Sequence, residues 1–343
     1  MKGTHYFAGG NTSRGFFSCF PGILLPEERK RMFYIKGGPG VGKSSLMKRV
    51  GQAAEAAGET VEYFHCSSDP DSLDGLALPL KGVAFMDGTA PHVYDPVCPG
   101  AQDRLISLGD YLEEEKLRPA APEMKRLQAE ISNRFQRCYR YLAAAREVWA
   151  AAAQATENPS GRRRTAEEWG QALPKRGGEG RVRQLFASAY TPKGMVSLLD
   201  TLEISQKRMI ETPLGCSPDG LLRQVADQAA ARGLDRVELL SPLEPERISY
   251  LYLPDSGLLF GGLPQGQEGE ALPASRVFDL APTGEQGFDR NAFELLTQRA
   301  VEQLAAAKAL HDELEKPYVR SMDFGRWQST LEELLIELQL PRE

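Results

Sequence analysis

The segment IKGGPGVGKSSLM at residues 35–47 aligns without a gap with IETPLGCSPDGLL at 210–222, 175 positions further along the chain. This constrains the fold more than any other feature, because whatever forms around the first segment has a counterpart around the second. The flanks agree. FAGGNTSRGFFSCF (7–20) is echoed by FASAYTPKGMVSLL (186–199), and YLAAAREV (141–148) by QLAAAKAL (303–310). VEYFHCSSDPDSLDGLALPLKGVAFMDG (61–88) is echoed by VELLSPLEPERISYLYLPDSGLLFGG (237–262), with a shift of about one residue. Solenoid units are several times shorter than this repeat, so the pattern implies a duplicated domain. With 343 residues the chain has room for two.

Within the first unit, RMFYIKGG reads as a strand ending in glycines, and SSLMKRVGQAAEAAG as a helix stopping at Gly58. TVEYFHC is β-branched and aromatic, hence a second strand; SSDPDSLDG is a polar turn carrying Asp69, Asp71 and Asp74, and LALPL and GVAFMDG follow as apolar runs. The order implies an α/β fold, a parallel sheet with crossover helices. From about 101 to 155 the pattern is helical, with Leu127, Ile131, Phe135, Cys138, Leu142, Ala145 and Trp149 on one stripe. Residues 156–183 mix Pro, Gly and Arg without period and read as a basic linker. The expected organisation is therefore a first domain over 1–155, that linker, and a second repeat with C-terminal helices over 184–343.

Composition narrows the function. Hydrophobic residues make up 41% and charged residues 26%, with a mean hydropathy of −0.38, as in soluble globular proteins. No apolar run approaches membrane-spanning length and MKGTHYFAGGNT lacks a signal-peptide core, so a cytoplasmic protein without a membrane partner is expected. A net charge of −6 makes nucleic acid an unlikely partner for the whole chain, since phosphate neutralisation needs a basic surface. The five cysteines, at 19, 66, 98, 138 and 216, contain no CxxC pair, which argues against both a disulfide framework and a zinc knuckle.

Gly37, four residues, Gly42, Lys43 and Ser44 fit G-x-x-x-x-G-K-[ST] between a predicted strand and a predicted helix. In such a loop glycines let successive N–H groups point at phosphate oxygens, and the helix N-terminus adds its positive dipole end. Lys43 is expected to reach the β- and γ-phosphates of ATP, and Ser44 to ligate Mg²⁺. Asp87, closing GVAFMD, fits the strand-end acid that holds the magnesium shell. Asp74 is a candidate to accept a proton or orient water, and His92, in DGTAPH, to sense the γ-phosphate.

HYFAGGNTSRGF, IKGGPGVGKSSLMK, VEYFHCSSDPDSLDG and MDGTAPHVYDP together resemble a bacterial family of P-loop ATP-binding proteins, mostly described as predicted ATPases. The resemblance implies two P-loop NTPase-like repeats, each with a helical insertion, and ATP binding with hydrolysis. By motif, Gly37, Gly38, Gly40, Val41, Gly42, Lys43, Ser44 and Ser45 correspond to the phosphate loop and Asp87 to the Walker B acid. The second repeat departs from the pattern: Thr212, Ser217, Pro218 and Asp219 stand where the loop's first glycine, a later glycine, the lysine and the serine belong, and the strand ends in FGG. Loss of the cation and gain of an acid disfavour phosphate there. One ATP site per chain is expected, with a degenerate second half and a protein or small-molecule partner that the sequence leaves unidentified. Alternatives are a nucleotide or small-molecule kinase, with GRRRT (161–165) as an arginine lid, and a nucleotide-gated scaffold without significant turnover.

Overall fold

The computed structural model describes residues 1–89, 94–153, 155–265, 267–280 and 286–341. In chain order the first part comprises β1 (Thr4–Phe7), β2 (Gly9–Thr12), β3 (Gly15–Ser18), β4 (Arg31–Lys36), α1 (Lys43–Ala56), β5 (Glu62–Cys66), β6 (Asp69–Leu78), β7 (Val83–Asp87), β8 (Asp103–Ser107), a short α2 (Glu114–Leu117) and the long α3 (Ala121–Ala151). Then come β9 (Ala155–Glu157), α4 (Pro159–Gly170), β10 (Val182–Leu185), β11 (Ser188–Thr191), β12 (Gly194–Ser197), β13 (Gln206–Thr212), α5 (Asp219–Ala231), β14 (Arg236–Leu240), β15 (Ile248–Leu253), β16 (Leu258–Pro264) and β17 (Phe278–Leu280). The long α6 (Gln286–Arg320) and α7 (Phe324–Glu337) end the chain.

The protein is α/β, as the alternation of elements implies, but its sheets are mixed. The first runs β1-β5-β6-β7-β4-β8 and the second β10-β14-β15-β16-β13. In each, one strand, β6 or β15, is antiparallel to both neighbours. The wholly parallel sheet expected from the sequence is corrected on this point, for a simple reason. Only residues 67–68 separate β5 from β6 and only 79–82 separate β6 from β7, too few for a crossover, so both connections are hairpin turns. The stretch read as the turn SSDPDSLDG is mostly the start of β6.

The two sheets share strand order and register. Ile35 on β4 lies opposite Asp87 on β7, and Ile210 on β13 opposite Gly262 on β16, each residue 175 positions beyond its counterpart. The β5–β6–β7 and β14–β15–β16 pairings keep the same offset, so the one-residue shift expected from the sequence is absent. Equivalent residues also meet. Phe7 and Phe186 exchange backbone hydrogen bonds of 2.9 and 3.0 Å, and Leu142 on α3 and Leu304 on α6 are buried in one cluster. A continuous core joins the halves, with Phe20, Phe64 and Met86 packed in the same cluster as Phe186 and Phe260. Arg183 on β10 binds Glu62 on β5 through two hydrogen bonds of 2.9 and 2.7 Å, a bidentate pair that also fixes their orientation.

Domain limits drawn along the chain do not follow the packing. The segment read as a linker contains α4, capped by the Asn158 side chain on Gly161 N and carrying buried Thr165, Ala166 and Trp169. α4 packs on α5, and Arg162 in GRRRT pairs with Glu157, so this stretch is a helix seated on the second half. Reciprocally, α7 follows α6 and packs back on α1. The helical stretch expected from about 101 begins with a strand, β8, which extends the first sheet beside β4. Among the described residues no helix is long and apolar enough to cross a membrane, and the five cysteines are free thiols.

A buried imidazole pair sits in the first sheet. His5 Nδ1 and His65 Nε2 are 2.7 Å apart, and His65 Nδ1 is 2.7 Å from Pro70 O. Burial, and then His65, push the His5 pKa down to about 4, and burial also lowers that of His65. An unfolded chain would protonate His5 near pH 6.5 whereas the folded one resists until about pH 4, so the stability it contributes is fully present above 6.5 and falls as pH drops through that window. Urea midpoints measured at pH 7 and pH 4.5 are expected to show a loss that His5→Gln reduces by about 1–2 kcal/mol. Equal pH sensitivity in wild type and variant would exclude the pair as its source.

Candidate functional site

Residues 37–42 carry the chain from β4 into α1. Gly40 and Gly42 adopt φ of +72° and +85°, backbone conformations that glycine takes at little cost. Val41, between them, is wholly buried in the core under α1, so it anchors the loop. Among the described residues, the first N–H of this stretch to reach a backbone carbonyl is that of Leu46, on Gly42 O at 2.9 Å. The N–H groups of Gly38 and of residues 40–45 donate to no other described backbone group. Such a run of donors at a helix N-terminus is what an anion needs.

Lys43 Nζ donates to Gly37 O and Gly38 O, each at 3.0 Å, and stands 3.6 Å from Asp87 Oδ2. The pair is largely enclosed, with side chains 13% and 14% exposed. Parallel pairing of β4 with β7 puts the loop and the acid at the same sheet edge. Thr89 completes the corner: its N–H donates to Asp87 Oδ1 at 2.8 Å and its hydroxyl to Gly37 O at 3.2 Å. Ser44 Oγ accepts the N–H of Leu73 at 2.9 Å, which ties the helix start to β6, while Ser45 is exposed in the first turn.

Asp74, next along β6, is buried beside these groups. Burial, and then the facing Asp87, push its pKa up to about 7, against the opposing effects of a hydrogen bond with Cys66 and of Lys43. Asp69 instead pairs with Lys308, and Asp71 points outward to Lys193. The structure thus brings together Lys43, Ser44, Asp74 and Asp87 of the predicted site. His92 lies outside the described residues.

Sequence reasoning missed what covers the loop. A Cβ added at Gly38 would fall 2.4 Å from the Tyr318 ring, and one at Gly40 would fall 2.9 Å from Val319 Cγ2 and 3.2 Å from Glu315 Cβ, so the end of α6 lies on the loop backbone. Trp327 on α7 donates its indole N–H to Gly42 O at 3.3 Å. These contacts explain why three glycines are needed beyond the turn itself. The signal available in the sequence was the spacing of Lys308, His311, Glu315 and Tyr318, three and four apart on one helical face.

The equivalent loop of the second half is closed on itself. Cys216 N donates to Pro213 O at 3.0 Å and Asp219 N to Ser217 Oγ at 3.2 Å, so two of its donors are engaged locally. Asp219 Oδ1 accepts the N–H of Ile248 at 2.8 Å, the bond that Ser44 makes to Leu73 in the first half. Pro218 and Gly262 occupy the places of Lys43 and Asp87, and a Cβ at Gly262 would lie 2.9 Å from Pro218 Cγ. An apolar ring against a glycine thus replaces the ion pair. Comparison of the chain with protein-family models, with curated protein sequences and with solved structures returns no match.

Proposed function

We propose that residues 37–45 hold the phosphates of a magnesium-bound nucleoside triphosphate, ATP in the first instance, and that the chain is an ATPase with one such site. The observation that carries this reading is the conjunction of a run of N–H donors with Lys43, held by two loop carbonyls and 3.6 Å from the strand-end acid Asp87. These residues suit the group: N–H donors and an ammonium for phosphate oxygens, and Ser44 and Asp87 as oxygen donors for Mg²⁺. The metal would supply charge neutralisation of the phosphates. Asp74, buried beside Asp87, is assigned to accept a proton from the attacking nucleophile.

In this reading the halves are P-loop NTPase-like units that arose by duplication, which the shared register supports, and the resemblance to two-repeat bacterial ATPases rests on the same residues. Calorimetry with a non-hydrolysable ATP analogue and Mg²⁺ is expected to saturate at one nucleotide per chain; two per chain, or none, overturns the assignment. Asp87→Asn should retain affinity within a few-fold and lower phosphate release by about 10- to 100-fold, because the acid acts through the metal. Unchanged Mg²⁺ dependence in that variant would make Asp87 a turn residue. A nucleotide-gated scaffold is a second reading, favoured by the seating of α6 and α7 on the loop, since occupancy would then be felt by helices that span both halves. Tight binding without phosphate release selects it.

A further inference from the structure

Lys43 directs its donors at its own loop. An ammonium has three N–H bonds, and here two of them go to Gly37 O and Gly38 O while Asp87 Oδ2 stands 3.6 Å from the same nitrogen. A phosphate-loop lysine reaches both the β- and the γ-phosphate, which takes two N–H bonds. At least one loop carbonyl must therefore be released on binding, and a half-buried carbonyl left without a donor opposes that release. The two carbonyls differ. Among the described residues Gly38 O accepts from Lys43 alone, whereas Gly37 O also accepts the Thr89 hydroxyl at 3.2 Å.

Thr89 does not need the lysine to hold its place. Its N–H donates to Asp87 Oδ1 at 2.8 Å, and Gly88 N donates to Ile35 O at 2.9 Å, so the turn after β7 runs beside the start of the loop. The second half makes an informative contrast. Pro218 and Pro264 stand 175 positions beyond Lys43 and Thr89, so neither side-chain donor is present. Thr212 O, the counterpart of Gly37 O, instead accepts the backbone N–H of Gln265 at 3.0 Å. In both halves this carbonyl takes a donor from the turn after the neighbouring strand; in the first half that donor is a hydroxyl, and a lysine able to leave shares the carbonyl with it. We propose that Thr89 is a positioning residue that lets Lys43 turn from its own loop to phosphate: as the ammonium leaves Gly37 O, the hydroxyl keeps that carbonyl paired, and Gly38 O remains the lysine's anchor. This role rests on the phosphate reading of residues 37–45 and adds to it which carbonyl is released.

Two measurements test this. Calorimetry with a non-hydrolysable ATP analogue and Mg²⁺ should find Thr89→Val weaker than wild type by about five- to tenfold, the size expected when a carbonyl loses its remaining donor, and Thr89→Ser within about twofold of wild type. Urea denaturation without nucleotide should find Thr89→Val and Lys43→Ala each tolerated, since either change leaves one donor on Gly37 O. The double variant should be less stable than the two single effects together, by about fivefold in the unfolding constant. Thr89→Ser added to Lys43→Ala should not show that extra loss, and this pair decides the point if Lys43→Ala with Thr89→Val does not fold. Wild-type affinity in Thr89→Val, equal weakening in Thr89→Val and Thr89→Ser, or strictly additive stabilities overturns the proposal. Absence of nucleotide binding by wild type overturns the phosphate reading and the lysine's exchange with it, and a coupled urea cycle then shows that the shared carbonyl was not at fault.

Discussion

Lys43→Ala is expected to weaken Mg-ATP binding by at least about a hundredfold while the melting temperature moves by only a few degrees. The ammonium is only 13% exposed and points at the loop carbonyls, so in this enclosed setting it acts on a phosphate with little screening by water. Its removal does two things at once. The cation is lost, and Asp87 is left beside Asp74 with no positive charge between them and the phosphates. The fold tolerates the change because Asp74, with a pKa of about 7, can take up a proton and relieve the repulsion. Lys43 also ties Gly37 O and Gly38 O, but the turn at Gly40 and Gly42 and the buried Val41 remain to hold the loop without it. Equilibrium titration with a fluorescent ATP analogue, alongside a melt, checks both halves of the expectation. A folded Lys43→Ala protein with wild-type affinity would remove the site assignment.

What the sequence made legible was what short-range chemistry encodes. The strand, the glycine turn and the helix of residues 31–56 are adjacent in sequence and each is specified by its own residues, so the loop and Asp87 were readable as soon as the motif was. The repeat was readable because equivalent pairs keep one offset of 175 positions across β4–β7 and β13–β16. Direction was not: the hairpin turns on either side of β6 follow from connections too short to cross over, a geometric point that residue types in SSDPDSLDG hide behind their turn preference. α4 was lost among Gly and Arg, although Asn158 followed by Pro159 is a helix-start signature and Thr165, Ala166 and Trp169 give it an apolar face. The covering of the loop by Tyr318, Glu315 and Trp327 is of another kind. It depends on α6 and α7 folding back across the whole chain, and no local pattern near Gly37 announces it.

Gly262→Asp, which places an acid where the first half carries Asp87, is expected to cost about 3–5 kcal/mol of stability and to recruit no nucleotide. The position equivalent to Asp87 is filled: a Cβ there would stand 2.8 Å from Thr212 Cγ2 and 2.9 Å from Pro218 Cγ, so the carboxylate would be forced against a methyl group and a proline ring. In the first half the same place is an ion pair, whereas here a proline ring packs against the glycine. Pro218→Lys added to Gly262→Asp removes the ring and supplies the cation, and should recover part of the loss, about 1–2 kcal/mol. Even then two of the loop's donors stay engaged, since Cys216 N is bound to Pro213 O and Asp219 N to Ser217 Oγ. Gly215 is also backed by the end of α3, where an added Cβ would lie 2.4 Å from Ala153 N and 2.6 Å from Trp149 O. Urea denaturation of the single and double variants measures the coupling between the two positions, and calorimetry counts nucleotides. Wild-type stability in Gly262→Asp would mean that the contact is open rather than packed, and a double variant that takes up a second nucleotide would mean that charge alone, and not the self-bonded backbone, silences this loop.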